Sequence, residues 1–346
     1  MYITAASAGW PVGSSMRRPT LEEVAATAGV SKMTASRALR GASDVSSDTV
    51  VKVRQAADQV GYVGNRLALS LSSRRTNLIG VVVPSMSNIV FPEVLSGISE
   101  ALEGTGMQAV FGLTDYDPGK EREVIRNMLS WRPAAMIVTG LDQPEETVKL
   151  LKQADIPVVQ IMDTDGTPID YCVGLSHTAA GEEMGRALLG EGRRKFGYVG
   201  SRLDRDQRAS RRKAGFERAL AEAGLRFTVE KVGDKGSSPV MGKRLTMTLL
   251  AETGDLDCIY YSNDDMAAGG LFACIEQGIS VPDTILLAGF NGLELTDALP
   301  AAIATSYSPR REIGRTAASL ALRALGDAGE NHERIVTLSP RLSLRR

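Results

Sequence analysis

Histidine is nearly absent: the 346 residues contain two, His177 and His332. Neither belongs to a metal-spaced cluster. The chain also lacks a G-x-S-x-G nucleophile turn and a G-x-x-x-x-G-K phosphate cradle. Hydrolytic, metal-dependent and nucleotide-dependent chemistry are thus without their usual residues, and the expectation is a binding protein with no catalytic group, metal or cofactor. The three cysteines, Cys172, Cys258 and Cys274, are far apart with no C-x-x-C pair. They read as reduced thiols buried as small apolar residues, which suits a cytosolic setting. No apolar run reaches the roughly 18–20 residues of a membrane span. The opening MYITAASAGWPVGSSM has no charged n-region and no long apolar h-region. Residues 1–18 therefore read as a disordered leader, not a secretory signal, with Met16 as an alternative start.

What is present is the composition of a globular protein, 43% apolar and 23% charged. The length exceeds one ordinary core and suits a small domain joined to a larger, two-lobed one. The net charge of −1 hides an asymmetry. Residues 17–76 hold ten Lys/Arg against five Asp/Glu, and residues 77–346 hold thirty against thirty-six. A cationic head on a mildly acidic body suits a polyanion partner for the head alone; chance asymmetry is the other reading.

The head spells out three helices. Thr20 with Glu23 three residues on is a capping box opening a helix with Leu21, Val24, Ala25 and Ala28 on one face. Gly29 ends it, Ser31 caps a second helix to about Arg40, and Gly41 stops that one. Ser46 starts a third helix through Val60, ended by Gly61. Two short helices across a glycine turn, closed by a third, form a helix-turn-helix unit over residues 19–64. The second helix crowds Ser31, Lys32, Met33, Thr34, Ser36 and Arg37 at its N-terminal half. Lys32 and Arg37 can bond guanine edges or phosphates. Met33 can meet a thymine methyl, and Ser31 and Thr34 can bond phosphates. A solvated polar face is the plain alternative.

The stretch TLEEVAATAGVSKMTASRALRGASDVSSDTVVKVRQAADQVGYVGN resembles the headpiece of the LacI/GalR repressor family, and the resemblance continues through the rest of the chain. Two departures stand out: Ala35 replaces a larger aliphatic residue, and Gly64 replaces the proline usual before Asn65. The resemblance implies a double-stranded operator DNA partner and a homodimer. It also implies that residues 65–76 form a hinge helix and linker, with Asn65 at the DNA and Leu71 wedged into a minor-groove base step. By itself, Leu67 with Leu71 reads more readily as an ordinary linker helix; the resemblance reverses that preference. The chain ends without a heptad tail of the kind that makes tetramers in some relatives.

From Leu78 short apolar strands alternate with helices. LIGVVV, MQAVFGL, AAMIVTG and PVVQIMD form a first set. A second begins near Tyr171 with KFGYVG, DCIYYS and ILLAGF, and a last strand lies near Arg334–Leu338. Such runs imply parallel sheets covered on both faces. The expected fold class is a small all-α helix-turn-helix headpiece plus an α/β core of two doubly wound parallel-sheet lobes. The resemblance makes that core periplasmic-binding-protein-like, with three crossings. It places one lobe at about 77–176 and 307–335 and the other at about 177–306 and 336–346.

Ligands of open parallel sheets lie beyond the carboxyl ends of the strands. The residues there are mostly hydrogen-bonding: Ser87, Phe91, Asp163, Arg202, Asn263 and Asn291 are candidate effector contacts. To these the resemblance adds Arg212. The set suits a polyhydroxylated ligand carrying a carboxylate, held by Arg202 or Arg212 through a bidentate pair. Taken alone, Phe91 reads more readily as core, Arg202 as a solvated loop residue and His177 as structural, while Asp264 reads equally as a helix cap. VSKMTASRALR, MLSWRP, PVVQIMD, the Arg202-Leu203-Asp204 run and SNDDMAAGG are most similar to the gluconate-operon repressors of the family. That implies a sugar acid such as gluconate as effector, with ligand relieving DNA binding. A plain solute-binding protein would share the body, but would carry a secretion signal and no helix-turn-helix head.

Overall fold

The computed structural model describes residues 19–42, 44–63, 76–86, 89–326 and 333–344. The chain divides into two units, residues 1–74 and 75–346. Asn65, Leu71 and Ser87, and the leader and most of the hinge, lie outside the described residues.

In the first unit local chemistry sets each helix boundary. Helix α1 spans Leu21–Ala28; Thr20 Oγ1 accepts from the Glu23 amide, and the Glu23 carboxylate accepts from the Thr20 amide at 2.7 Å. Gly29 closes it in the left-handed region at φ +66°. Helix α2 spans Lys32–Leu39, capped by Ser31, and α3 spans Ser47–Val60, capped by Ser46 and ended by left-handed Gly61. Val24, Ala25, Ala35, Ala38, Val53, Ala56 and Ala57 form the core. Ala35 is fully buried there, so a small side chain fills the place where a larger aliphatic is usual.

The second unit contains a six-stranded parallel sheet in the order β11-β5-β4-β3-β1-β2. Its strands are β1 (Leu78–Val83), β2 (Gln108–Leu113), β3 (Ala135–Thr139), β4 (Val158–Ile161), β5 (Tyr171–Gly174) and β11 (Ile335–Thr337). A four-stranded parallel sheet follows the order β7-β6-β8-β9: β6 (Phe196–Ser201), β7 (Phe227–Gly233), β8 (Cys258–Tyr261) and β9 (Leu286–Ala288). A third, antiparallel pair joins β10 (Thr305–Tyr307) to β12 (Arg341–Ser343). The helices are α4 (Val90–Leu102), α5 (Pro118–Ser130), α6 (Glu145–Gln153), α7 (His177–Gly190), α8 (Gln207–Glu222), α9 (Pro239–Glu252), α10 (Asp264–Glu276), α11 (Leu295–Ala298) and α12 (Arg310–Gly326).

One expectation needs correcting. The second strand set does not begin near Tyr171. That strand pairs with β4, Cys172 opposite Gln160 and Val173 opposite Ile161, and so belongs to the first sheet. A run buried on both faces carries no mark of which sheet takes it. The change comes at Ser176, which caps α7. The chain comes back to the first sheet at α12, whose Ile313, Ala317 and Leu320 join the core with α4, and again at β11.

Candidate nucleic-acid interface and candidate ligand cleft

In the first unit α2 buries Ala35 and Ala38, packs Leu39 against the same core, and turns the polar residues of its N-terminal half outward. Ser31, Lys32, Met33 and Arg37 are exposed, Met33 at 71%; Thr34 and Ser36 are half-buried. Ser31 Oγ accepts from the Thr34 amide at 3.0 Å and shares a 2.8 Å hydrogen bond with Thr34 Oγ1. Both hydroxyls thus finish the N-terminus, the positive end of the helix dipole. Lys32 pairs with Glu22 at 2.6 Å, and Arg37 with Asp44. Exposed pairs of this kind contribute little because water screens them, so neither cation is firmly committed. The face therefore offers two long cations, a thioether and short hydroxyls on one helix end, the equipment a major groove can be read with.

In the second unit the cleft is organised by the packing of α7 on α8. A Cβ added at Gly181 would lie 1.9 Å from the Arg212 carbonyl oxygen, and one at Gly215 would lie 2.0 Å from that of Thr178. Only glycine lets the two backbones touch this way. The approach sets His177, the first residue of α7, beside Arg212 of α8. Arg212 is 5% exposed. Its Nη1 donates to His177 Nδ1 at 2.8 Å and its Nη2 to the Ser262 carbonyl at 2.8 Å. The guanidinium carbon sits 4.1 Å from the centre of the Phe290 ring. Its Nε, buried, has no hydrogen-bond partner among the described residues, a cost unless something else accepts from it. His177 Nε2 bonds the Met162 carbonyl at 2.8 Å. One acceptor, the Met162 carbonyl, and one donor, Arg212, fix the tautomer: hydrogen on Nε2, lone pair on Nδ1. Burial, then the Arg212 charge, holds the His177 pKa well below its ordinary value.

A small cavity of about 30 Å³ lies against Arg212, lined also by Phe91, Tyr116, His177, Asn263 and Asn291. Phe91 is both core and wall: it is 1% exposed, with the Arg208 guanidinium 5.5 Å from its ring centre. Asn263 caps α10 through Oδ1 and donates from Nδ2 to Ser237 Oγ at 2.9 Å. Asn291 sits at φ +119°. Arg310 bonds its carbonyl and holds Glu93 of α4 with two hydrogen bonds of 2.9–3.0 Å, tying that loop to the helix beside Phe91.

Two expected contacts are placed otherwise. Asp163 is fully buried and lines neither cavity of this cleft. One carboxylate oxygen pairs with Arg211; the other accepts from the Asp165 amide at 2.8 Å. Its charge is taken up by Arg211, 48 residues downstream. Arg202 also lines neither cavity. It stands at φ +46°, where its carbonyl caps the turn into α8 by accepting from the Arg205 and Asp206 amides. Asp264 is not the cap. It is buried, bonds the Leu293 amide and Thr305 Oγ1, and has its pKa pushed up to about 6 by burial.

His177, Arg208, Tyr116 and Phe290 complete the site and were not foreseen. The run Arg208-Ala209-Ser210-Arg211-Arg212 has helical spacing that puts three guanidiniums on neighbouring turns, which was a readable signal. The Arg212–His177 and Arg212–Phe290 contacts had none, their partners being distant in sequence. A second cavity of about 480 Å³ adjoins the first and shares Tyr116 and Arg208 with it.

A helix-turn-helix unit and a two-sheet core with a polar cleft, in one chain, define a DNA-binding regulator with a small-molecule site. Residues 20–65 match bacterial regulatory proteins of the lacI family. Residues 76–342 match the periplasmic binding proteins and sugar binding domain of the LacI family. The chain belongs to the LacI family of bacterial transcriptional regulators. It is 39% identical over 302 residues to the HTH-type transcriptional regulator GntR of Pseudomonas aeruginosa, covering 87% of this chain and 88% of that one. It is 35% identical to GntR of Escherichia coli K12, covering 86% and 89%. Among solved structures, a LacI family transcriptional regulator from Silicibacter pomeroyi superimposes with a TM-score of 0.90 at 46% identity, covering 94% and 98%. GntR from Chromobacterium violaceum gives 0.73 at 36%, covering 78% and 98%.

Proposed function

We propose that the protein is a homodimeric repressor of a palindromic operator, released from it by a sugar acid such as gluconate. The observation that carries the effector reading is Arg212. A buried guanidinium that lines the cavity is held on two sides by His177 and Ser262, while its buried Nε has no hydrogen-bond partner among the described residues. A carboxylate is the group that best satisfies it. Asn263 and Asn291 stand beside it to read hydroxyls, and Phe91 offers a carbon–hydrogen face. The likeness of the sequence motifs to gluconate-operon repressors points to the same ligand class.

In this reading residues 19–64 are the DNA-binding headpiece, with Ser31, Lys32, Met33, Thr34, Ser36 and Arg37 at the groove and Asn65 and Leu71 in the hinge. The core lobes run over about 77–176 with 307–335, and 177–306 with 336–346. Two headpieces are needed because one makes too few contacts for specific affinity. The exposed apolar Phe111 and Leu113 on edge strand β2, and Phe272 and Ile275 on α10, are surfaces a second copy would cover. The effector acts by preferring one lobe arrangement, which changes the spacing of the paired headpieces. The protein then works in the cytoplasm, on the chromosome. Selection of bound duplexes from a random pool, with calorimetry of D-gluconate, tests it. A two-fold symmetric consensus and gluconate binding are expected; an asymmetric or absent consensus, or no gluconate heat, contradicts it.

A further inference from the structure

The cavity beside Arg212, about 30 Å³, holds little more than the carboxylate end of a ligand. Sites that enclose small organic ligands run roughly 300–1,000 Å³. The adjoining cavity has that size, about 480 Å³, and Tyr116 and Arg208 border both. It lies past Val83 of β1 and Thr139 of β3. There the strand order reverses, since β2 and β3 flank β1 on opposite sides. Open α/β sheets bind ligands at this switch point.

The walls indicate what fits. Glu121, Asp142 and Asp204 face Arg205 and Arg208. Both arginines already have carboxylates close by, Asp117 at 3.9 Å from Arg205 and Asp206 at 3.8 Å from Arg208, and Asp142 is paired with Arg211. A second anion would meet an excess of carboxylates, Glu121, Asp142 and Asp204 against Arg205 and Arg208. Mixed carboxylates, guanidiniums and amides beside a tyrosine ring suit the alternating donors and acceptors of a neutral sugar ring.

We propose that the larger cavity is a second ligand compartment for a neutral, polyhydroxylated ring. The effector is then a sugar acid extended by a second sugar unit, its carboxylate at Arg212 and its far ring beyond Tyr116 and Arg208. This rests on the reading of Arg212 as the carboxylate anchor.

The test is calorimetry of the full-length protein with D-gluconate, lactobionate (a galactosyl-gluconate) and 6-phosphogluconate. The protein is used as wild type and as Gln207→Trp, an exposed position on the rim of the larger cavity. Lactobionate is expected to bind wild type about tenfold more tightly than gluconate, the worth of one or two net hydrogen bonds. Gln207→Trp is expected to erase that advantage and leave gluconate within about twofold. If gluconate binds and lactobionate binds no better, the second compartment is refuted while the anchor stands. Equal weakening of both ligands by Gln207→Trp also refutes it. If 6-phosphogluconate outbinds lactobionate, the neutral ring is the wrong occupant. If none of the three binds, the anchor fails and this inference with it.

Discussion

Arg212→Lys keeps the positive charge in the cleft and removes the fork. In the wild type the guanidinium reaches His177 Nδ1 and the Ser262 carbonyl, both at 2.8 Å, while the buried Nε has no partner among the described residues. One ammonium cannot reach two acceptors on opposite sides and the ligand as well. One of the two buried acceptors is then unsatisfied, at a cost of about 1–3 kcal/mol. In a domain of this size each kcal/mol lowers Tm by about 2–4 °C, so a fall of roughly 2–12 °C is expected. A hydrogen bond from a charged donor contributes about 1.5–3 kcal/mol, and tenfold in affinity corresponds to about 1.4 kcal/mol. D-gluconate should therefore bind about 10- to 100-fold more weakly. Operator affinity without ligand should be unchanged, because nothing in the headpiece is touched. Calorimetry, thermal unfolding and duplex anisotropy read the three quantities. Gluconate binding within about twofold of wild type, with an unchanged Tm, would refute the reasoning.

Arg37→Ala removes an exposed cation of α2 whose pair with Asp44 contributes little. Duplex anisotropy should show a loss of about tenfold or more in operator affinity, with calorimetric gluconate affinity intact; loss of both would mean the two sites are not separate. Gly181→Ala drives a methyl to 1.9 Å from the Arg212 carbonyl. Overpacking of about 1–3 kcal/mol is only partly offset by the helix propensity of alanine, about 1 kcal/mol. Denaturant unfolding should show a net loss, and calorimetry weaker gluconate binding as Arg212 shifts; a more stable variant with full affinity would contradict the close crossing. Asp264 has a folded pKa of about 6 against an ordinary 3.8, so the folded state holds the proton more tightly. Its contribution is complete below about pH 4 and is lost as pH rises through about 6, on the order of 3 kcal/mol. Unfolding measured from pH 4 to 7 should show that loss in wild type and not in Asp264→Asn; parallel curves would remove Asp264 as the cause.

The features readable in the sequence are those whose causes are local. Thr20 with Glu23, Ser31, Ser46, Gly29 and Gly61 mark their helix ends because caps and left-handed stops act within a few residues. The apolar runs of β1 and β3 show a sheet buried on both sides. Membership of Tyr171–Gly174 was not readable, since a short buried strand is equally good in either sheet. Arg211 and Arg212 are adjacent and identical in type; the Gly181–Gly215 crossing turns one to His177 and the other to Asp163. Asp163 has every sequence mark of a ligand contact, and only the fold reveals that a distant arginine takes its charge.

The most direct test of a ligand cleft that governs DNA binding is thermodynamic reciprocity. Operator affinity of the full-length protein is measured without and with saturating D-gluconate, and gluconate affinity without and with operator. The two ratios should be equal and larger than about fivefold, the low end of allosteric coupling. Operator affinity unmoved by gluconate that demonstrably binds would contradict the account.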